Sequence, residues 1–446
     1  MSIGSVVNPL FAKTLVIGLI VLALLIPLSQ VESLVADRGV MRDAAEQRIA
    51  DGWGRAQSLG GPVLVVPSDT RTIDPADAHR EIVRRDLHYL LPESLDVVAD
   101  LTPVERHSGI YRVNAYTANI AMTAHFRSEA LQGVLSAAPD SKIAWSEIRL
   151  VLPLTDLRGI REISEVSWNG AALAMSPDVD RALSGIAAPV DLSSDTIGGT
   201  TFVFRGILAG TRNFAVMPFG RSTAVRVRSA WPHPSFSGSF LPARYTLDQK
   251  GFDAAWQILE VNRDYPQRWD NDAVSADRIT ASAFGVALYD PVDVYQRNYR
   301  AIHYAILFVA ITFLSLFLWE QIARRRLHAM QYLLIGLALA TFYLLLIALS
   351  EHMSFAFAYT LAAAGQVAVL GVYLVGAMRA RLAGGIATAG IASVYGALYL
   401  LVLSEQYALL LGALLLFAIL AAVLFVTRRV DWHQLANEMR SNSPSA

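Results

Sequence analysis

The chain has 446 residues, 54% of them hydrophobic and only 17% charged, with a mean hydropathy of +0.40 and a formal net charge of −1. It is more apolar and less charged than an ordinary soluble domain, and its balanced charge gives no electrostatic case for binding nucleic acid. The absence of cysteine excludes disulfides, thiolate metal sites and a cysteine nucleophile together.

The apolar excess is local. Six stretches are long enough for a bilayer span of about 20 residues: Leu10–Leu28, Ala301–Trp319, Tyr332–Leu349, Phe355–Val375, Ile386–Leu403 and Ala408–Val426. After the first, Val31, Leu34, Val35, Met41, Ala45 and Ile49 recur at helical spacing. No small-residue cleavage site intervenes, so the reading is a retained anchor that continues outward as an amphipathic helix.

From Gly52 the period falls to about two. Pro62–Pro67 reads as a short buried strand between prolines. Further strands are expected at Asp86–Leu91, Val97–Leu101, Tyr111–Phe126, Glu147–Leu152, Thr200–Leu208, Thr223–Ser229, Ala254–Val261 and Ala281–Leu288. In Ala224–Arg228 the valines should point inward and the arginines outward. Turn residues cluster at Ser136–Lys142, Trp168–Gly170, Pro189–Gly199 and Arg263–Asp272, with Pro189–Gly199 the best internal boundary. This is the pattern of a mostly-β antiparallel domain of packed sheets.

The spans are punctuated by a tripeptide that occurs twice, Leu349-Ser350-Glu351 and Leu403-Ser404-Glu405, 54 residues apart. Arginines occupy the alternate ends: Arg324 to Arg326, Arg379 with Arg381, and Arg428 with Arg429. By the positive-inside rule the arginine-bearing loops and both termini are cytoplasmic. The expected architecture is a membrane protein with six transmembrane α-helices and a large, sandwich-like, antiparallel periplasmic β domain. Its parts are an anchor (1–30), the periplasmic domain (31–300), a five-helix bundle (301–426) and a cytoplasmic tail (427–446).

Signatures of catalysis are missing: no H-E-x-x-H, no G-x-S-x-G, and no lysine placed to complete a phosphate-cradling loop. The nine histidines are scattered without a ligand spacing. No catalytic, cofactor or metal residues are assigned. The residues singled out for a partner or a hinge are Trp53 and Gly54 at the helix-to-strand junction; Trp231, His233 and Phe236 in the rigid Trp231-Pro232-His233-Pro234-Ser235-Phe236 stretch; and Glu351, His352 and Glu405 in the outer turns. Trp53-Gly54 is either a hinge or a plain glycine turn. The Trp231–Phe236 stretch is either a presented imidazole or a stiff loop whose aromatics cap the core. In each Ser-Glu turn the residues suit the start of the next helix, where serine caps and a carboxylate meets the helix dipole. Gln366 is the one strongly polar residue near a midplane. Gly336/Ala340, Gly385/Ala389 and Ala392/Gly396 form small-residue faces for close helix packing.

Several long segments, in order, resemble the CreD family of bacterial inner-membrane proteins. They are DGWGRAQSLGGPVLVVP (Asp51–Pro67), IYRVNAYTANIAMTAHF (Ile110–Phe126), SAWPHPSFSGSFLP (Ser229–Pro242), NRDYPQRW (Asn262–Trp269), and the stretches Ala283–Phe313, Phe342–Tyr359 and Tyr407–Trp432. The family commonly has proline before the glutamine of the first segment, where this chain has Ala56. The resemblance implies an envelope-integrity and stress-response role, often under a carbon-responsive two-component system. It supplies no catalytic residues to carry over.

Three functions are then weighed. The first is a non-enzymatic envelope protein whose partners are the bilayer and a periplasmic protein, lipid or cell-wall component. The second is a transporter or lipid-handling protein, which needs a polar cavity or lateral groove near Gln366. The third is a hydrolase, which needs His233 or His125 beside a carboxylate in a cleft. The first is favoured.

Overall fold

The computed structural model describes residues 9–74, 77–127, 141–179, 183–192, 200–288, 294–323, 327–378, 381–404 and 407–428. The chain divides into two compact units, Met1–Arg42 with Val292–Ala446, and Asp43–Pro291. Helix α1 (Pro9–Trp53) gives its first part to the helical unit and its last part to the other.

The second unit is built of three sheets. The four-stranded sheet has the order Gln57–Leu59, Asn213–Val216, Phe284–Leu288, Pro234–Gly238. The seven-stranded sheet runs Ser176–Val179, Ser184–Pro189, Arg149–Pro153, Val63–Asp74, Asp77–Leu90, Arg268–Asp270, with Ser141–Ile143 also paired to Val63–Asp74. The eight-stranded sheet runs Arg244–Asp248, Gly251–Leu259, Ser222–Ser229, Ser94–Ser108, Tyr111–Phe126, Thr200–Thr211, Ile160–Trp168, Ala171–Ala172. A short helix, α2 (Ala276–Ala281), precedes the Phe284–Leu288 strand. Pairing is antiparallel throughout except for Gln57–Leu59 with Asn213–Val216 and Ser222–Ser229 with Ser94–Ser108. All three sheets face one continuous core in which Tyr116, Phe202, Phe204, Phe214, Phe219 and Phe284 are fully buried. Each such ring contributes about 1.5–3 kcal/mol on leaving water.

Local rules account for much of this unit. Val225 and Val227 are buried while Arg226 and Arg228 are exposed, and the arginines pair across strands with Asp253 and Asp100. Asn169 and Gly170 both take positive φ in the two-residue loop closing Ile160–Trp168 onto Ala171–Ala172, the backbone an Asn-Gly hairpin requires. At the expected boundary Pro189–Gly199 the chain passes from the seven-stranded to the eight-stranded sheet, and residues 193–199 lie outside the described residues. So do residues 136–140 of the expected turn Ser136–Lys142.

The helical unit contains α3 (Val294–His303), α4 (Ala305–Ala323), α5 (Ala329–Ser350), α6 (Phe355–Met378), α7 (Arg381–Leu403) and α8 (Ala408–Thr427). Among the described residues five helices, α1 and α5 to α8, are long and apolar enough to cross a membrane. The stretch read as one span from Ala301 is instead α3 and α4 bent by 42°, which makes a sixth if the pair is taken together. The bend falls where composition changes, because α3 carries Gln296, Arg297, Asn298 and Arg300 before the apolar run begins.

The small-residue faces are partly corrected. A Cβ on Gly336 would lie 2.2 Å from Leu24 Cδ1 of α1 and 2.9 Å from Phe313 of α4, so this glycine lets three helices meet. Gly385 and Gly396, by contrast, have nothing within 4 Å. The close approach of α6 and α7 is made one residue earlier, at Gly384, where a Cβ would sit 2.6 Å from the Val375 Cα. A single residue turns a helix by about 100°, so the Gly385 face looks outward. Gly384→Val should therefore lower the thermal midpoint of the detergent-solubilised protein, at about 1–3 kcal/mol for overpacking, whereas Gly385→Val leaves it unchanged. The opposite order would show that the α6–α7 phase is misassigned.

Candidate functional site

The junction at Trp53 and Gly54 is fastened by several contacts within the β unit. The last turn of α1 ends in unpaired carbonyls and the negative end of the helix dipole. Two arginines meet it: Arg158 Nη1 donates to Asp51 O at 3.1 Å, and Arg161 donates to Trp53 O. The Trp53 ring stacks against two guanidinium groups, with Arg106 3.7 Å and Arg161 4.3 Å from its centroid. Its Nε1 donates to Tyr116 O at 3.3 Å. Cation–π contacts of this kind are worth about 0.5–2 kcal/mol each.

Gly54 has φ +127°, and a Cβ there would come within 2.6 Å of Ala209 O. Its N–H closes on Ala50 O at 2.9 Å, and its carbonyl accepts from Thr211 Oγ1 at 3.2 Å. Beyond it, buried Gln57 donates to Asp156 O and Ala209 O. The Asp156 carboxylate accepts from Arg55 N at 3.0 Å and from the Arg158 side chain at 2.9 Å. Burial alone would raise the Asp156 pKa, but Arg158 and the backbone donors of Arg55 and Arg158 outweigh it and hold the carboxyl below its ordinary value. Because the folded pKa is the lower one, this stabilisation is present at neutral pH and is lost as the pH falls through it. Tyr116 completes the joint: its hydroxyl donates to Asn213 O at 2.6 Å, and burial pushes its pKa up. Trp53-Gly54 is thus a turn fastened by these contacts.

The Trp231–Phe236 stretch divides by face. Phe236 packs on Tyr245, Phe252 and Trp256 at centroid distances of 5.3, 5.9 and 5.8 Å, and Trp231 Nε1 donates to His233 O at 3.1 Å. The aromatics therefore cap the core and His233 is exposed. His125 is also exposed, paired with Thr201 Oγ1 at 3.0 Å. Neither imidazole has the cleft-bound carboxylate that the hydrolase reading required. The Asn262–Trp269 segment is a staple. Arg263 donates to Pro218 O and Phe219 O, Tyr265 bonds Pro218 O and Ser282, and Trp269 stacks on Tyr89 at 5.3 Å.

At the Leu349-Ser350-Glu351 turn the expected helix start is not what forms. Ser350 is buried, donates to Ile347 O at 3.0 Å and accepts from Asn298 Nδ2 of α3 at 2.8 Å. Glu351 closes α5 as its C-cap residue, and its carboxylate lies 3.5 Å from Arg38 Nε of α1. The serine faces the bundle because it continues the α5 phase, so it is unavailable to cap α6. His352 is exposed, and its backbone N–H donates to Leu349 O at 3.0 Å. Glu405 lies outside the described residues. Gln366 is buried at mid-helix in α6. A void between α4, α5 and α7 amounts to about 10 Å³, room for a single water at most.

Two arrangements escaped sequence reasoning. Lys13 of α1 pairs with Glu320 of α4, a nearly fully buried carboxylate that also accepts from Leu327 N at 2.7 Å and Tyr332 Oη at 3.0 Å. The only signal was a rare lysine in the first span and an acid directly after Trp319. In the β unit, Ser68 Oγ lies 2.9 Å from His88 Nε2, and His88 Nδ1 lies 2.6 Å from Asp270 Oδ1. The order is that of a Ser–His–Asp relay, but Ser68 is 1% exposed and its strand is hydrogen-bonded on both sides. At that exposure Ser68 lacks the open approach a substrate carbonyl would need. The three side chains fasten neighbouring strands. Among the described residues no group of three or more His, Cys, Asp or Glu side chains is placed to hold a metal ion.

The family described as "Inner membrane protein CreD" matches residues 9–433, from the first helix of the bundle through the β unit and past the last. The chain belongs to the CreD family. Among its relatives, the inner membrane protein CreD of Escherichia coli (strain K12) is 33% identical over 437 residues, covering 96% of this chain and 94% of the relative. In this CreD-family chain Asp51–Pro67 holds the Trp53 joint, Ser229–Pro242 the Phe236 aromatic cap and Asn262–Trp269 the staple.

Removing Lys13 while leaving Glu320 buried should be costly. Lys13→Met should destabilise the detergent-solubilised protein by about 3 kcal/mol, the lower end for breaking a buried pair, and adding Glu320→Gln should recover most of it. Thermal unfolding of the single and double variants checks this. Additive losses would show that the two side chains are not coupled.

Proposed function

We propose that the protein is a non-enzymatic inner-membrane protein that supports cell-envelope integrity or an envelope stress response through its β unit. On this reading the α3–α4 pair is one bent span, giving six. The β unit lies in the periplasm and both chain termini lie in the cytoplasm. The arginines at 324 to 326, 379, 381, 428 and 429 support that orientation by the positive-inside rule. Membership of the CreD family, whose description is an inner membrane protein, supports the location.

The observation that carries the assignment of work to the β unit is an unsheltered sheet edge. Arg244–Asp248 is the outermost strand of the eight-stranded sheet, and Leu241, Tyr245 and Leu247 beside or on it are 71%, 58% and 52% exposed. An open strand edge with apolar side chains is a template for an added strand or an apolar partner. The void between α4, α5 and α7 holds about 10 Å³, which supports this reading over a transport site there, since such a site needs a polar cavity at mid-membrane.

A strain lacking the gene, complemented with variants, tests the division of labour. Leu241→Ser, Tyr245→Ser and Leu247→Ser together should abolish rescue of envelope-stress sensitivity while membrane levels stay normal, and Gln366→Leu should rescue fully. Full rescue by the edge variant with loss in Gln366→Leu would move the function to the bundle.

A further inference from the structure

The outermost strand of the eight-stranded sheet has an order of residues that bears on what pairs with it. Arg244–Asp248 is bonded to Gly251–Leu259 on one side, and among the described residues no strand is bonded to it on the other. The loop joining these two strands is only Gln249-Lys250, so Asp248 and Gly251 close the hairpin as a hydrogen-bonded pair. Hydrogen-bonded pairs alternate along an antiparallel ladder. Arg244, Thr246 and Asp248 therefore turn their backbone groups inward, and Tyr245 and Leu247 aim N–H and C=O at the open side.

This edge is complementary to itself. An antiparallel strand of the same five residues, centred on Thr246, sets Tyr245 opposite Leu247, Arg244 opposite Asp248 and Thr246 opposite Thr246. The Tyr245–Leu247 pairs are those whose backbone groups point outward, so each exchanges both of its N–H···O bonds. The Arg244–Asp248 pairs fall at the non-hydrogen-bonded positions, where opposite side chains stand closest and unlike charges stabilise. We infer that this edge pairs with the same edge of a second copy of the chain, joining two eight-stranded sheets into one continuous sheet. The inference rests on the reading of this edge as the working surface of the β unit, and it names the occupant.

Charge fixes the register. The nearest alternatives that keep outward backbone groups opposed are shifts by two residues. One sets Arg244 against Lys250, and like charges directly opposite are destabilising. The other sets Asp248 against Pro242 and Arg244 against Thr246, so both charges lose their partners. Only the register centred on Thr246 pairs all five residues with a suitable neighbour.

The exposed apolar side chains fit the same pairing. Tyr245 and Leu247 lie on the core side of the strand: the Tyr245 ring is 5.3 Å from Phe236, and Leu247 stands opposite buried Phe252. Both are nevertheless exposed. A second copy lays its Leu247 beside Tyr245, and its Tyr245 beside Leu247, which carries the apolar face across the junction. The pairing occupies the open side of both strands, so the assembly closes at two. Five residues a side is small beside the ~20–30 of a standard interface, and on the membrane reading above the two copies gain from being held in one bilayer.

The chain has no cysteine, so a single introduced thiol reports only on its own copy in a neighbour. Thr246→Cys in the full-length protein, oxidised with copper phenanthroline in native membranes, should give a disulfide-linked dimer. Opposed non-hydrogen-bonded residues lie about 4.5 Å apart at Cα, within disulfide reach. Arg244→Cys, also exposed, should not crosslink, since its counterpart stands about 14 Å away at ~3.4 Å per residue. Adding Arg244→Asp to the Thr246→Cys chain sets like charges opposite each other and should lower the crosslinked fraction about tenfold. Adding Asp248→Arg as well should restore it, which a fault in folding would not allow. No crosslink through Thr246→Cys, equal crosslinking through Arg244→Cys, or no recovery in the charge-exchanged chain would each overturn the pairing. Rescue by the Leu241, Tyr245 and Leu247 serine variant is scored separately. Lost rescue without a Thr246→Cys crosslink would remove the second copy and leave the edge as the working surface. A crosslink together with full rescue would keep the dimer and remove the edge from the function.

Discussion

The helical unit depends on a carboxylate that cannot be left alone. Glu320 is almost wholly buried, and an unpaired carboxylate there would cost several kcal/mol. Lys13, the Leu327 amide and the Tyr332 hydroxyl all converge on it, so α1, α4 and α5 are tied at one point. A slip of α1 by one residue would move Lys13 about 1.5 Å and rotate it about 100°, breaking the pair. With that register fixed, Leu24 falls over the bare Gly336 backbone and the stripe Leu24, Leu28, Val31, Val35 is buried. The same stripe continues into Arg38 and Arg42, which find Glu351 and Tyr295.

The far end of α1 is pinned by different chemistry. Here a tryptophan stacks against two guanidiniums, arginines meet the helix end and the buried Asp156 carboxylate, and a glycine backbone stands where no side chain would fit. Each contact is modest. Together they hold the end of α1 at Tyr116, Arg158, Arg161 and Thr211. The β unit repeats the strategy at Asn262–Trp269, where one segment reaches residues next to all three sheets. This explains why a cysteine-free unit of this size holds together by packing and hydrogen bonds alone.

The sequence made legible what depends on short range. Tyr111–Phe126 begins and ends where alternation says it should, and the Val225–Arg228 alternation and the Asn169-Gly170 turn follow local rules. What stayed hidden depends on phase or on distance along the chain. Gly384 and Gly385 are indistinguishable in a motif, yet only one faces Val375. Ser350 and Glu351 read as a helix start because nothing local reveals Asn298 or Arg38. Lys13 and Glu320 are far apart in sequence, as are Ser68, His88 and Asp270, so neither group shows a motif. Of the candidate residues, Trp53, Gly54 and Phe236 take part in packing and hydrogen-bond contacts that no local motif spells out.

Hydrogen–deuterium exchange of the full-length protein in detergent tests most directly whether α1 is pinned where it enters the sheets. A pinned helix end predicts that the amides of residues 51–55, including the Gly54 N–H bonded to Ala50 O, exchange as slowly as those of the Tyr111–Phe126 strand. Fast exchange confined to that turn, with the strand still protected, would contradict the account and make Trp53-Gly54 a hinge.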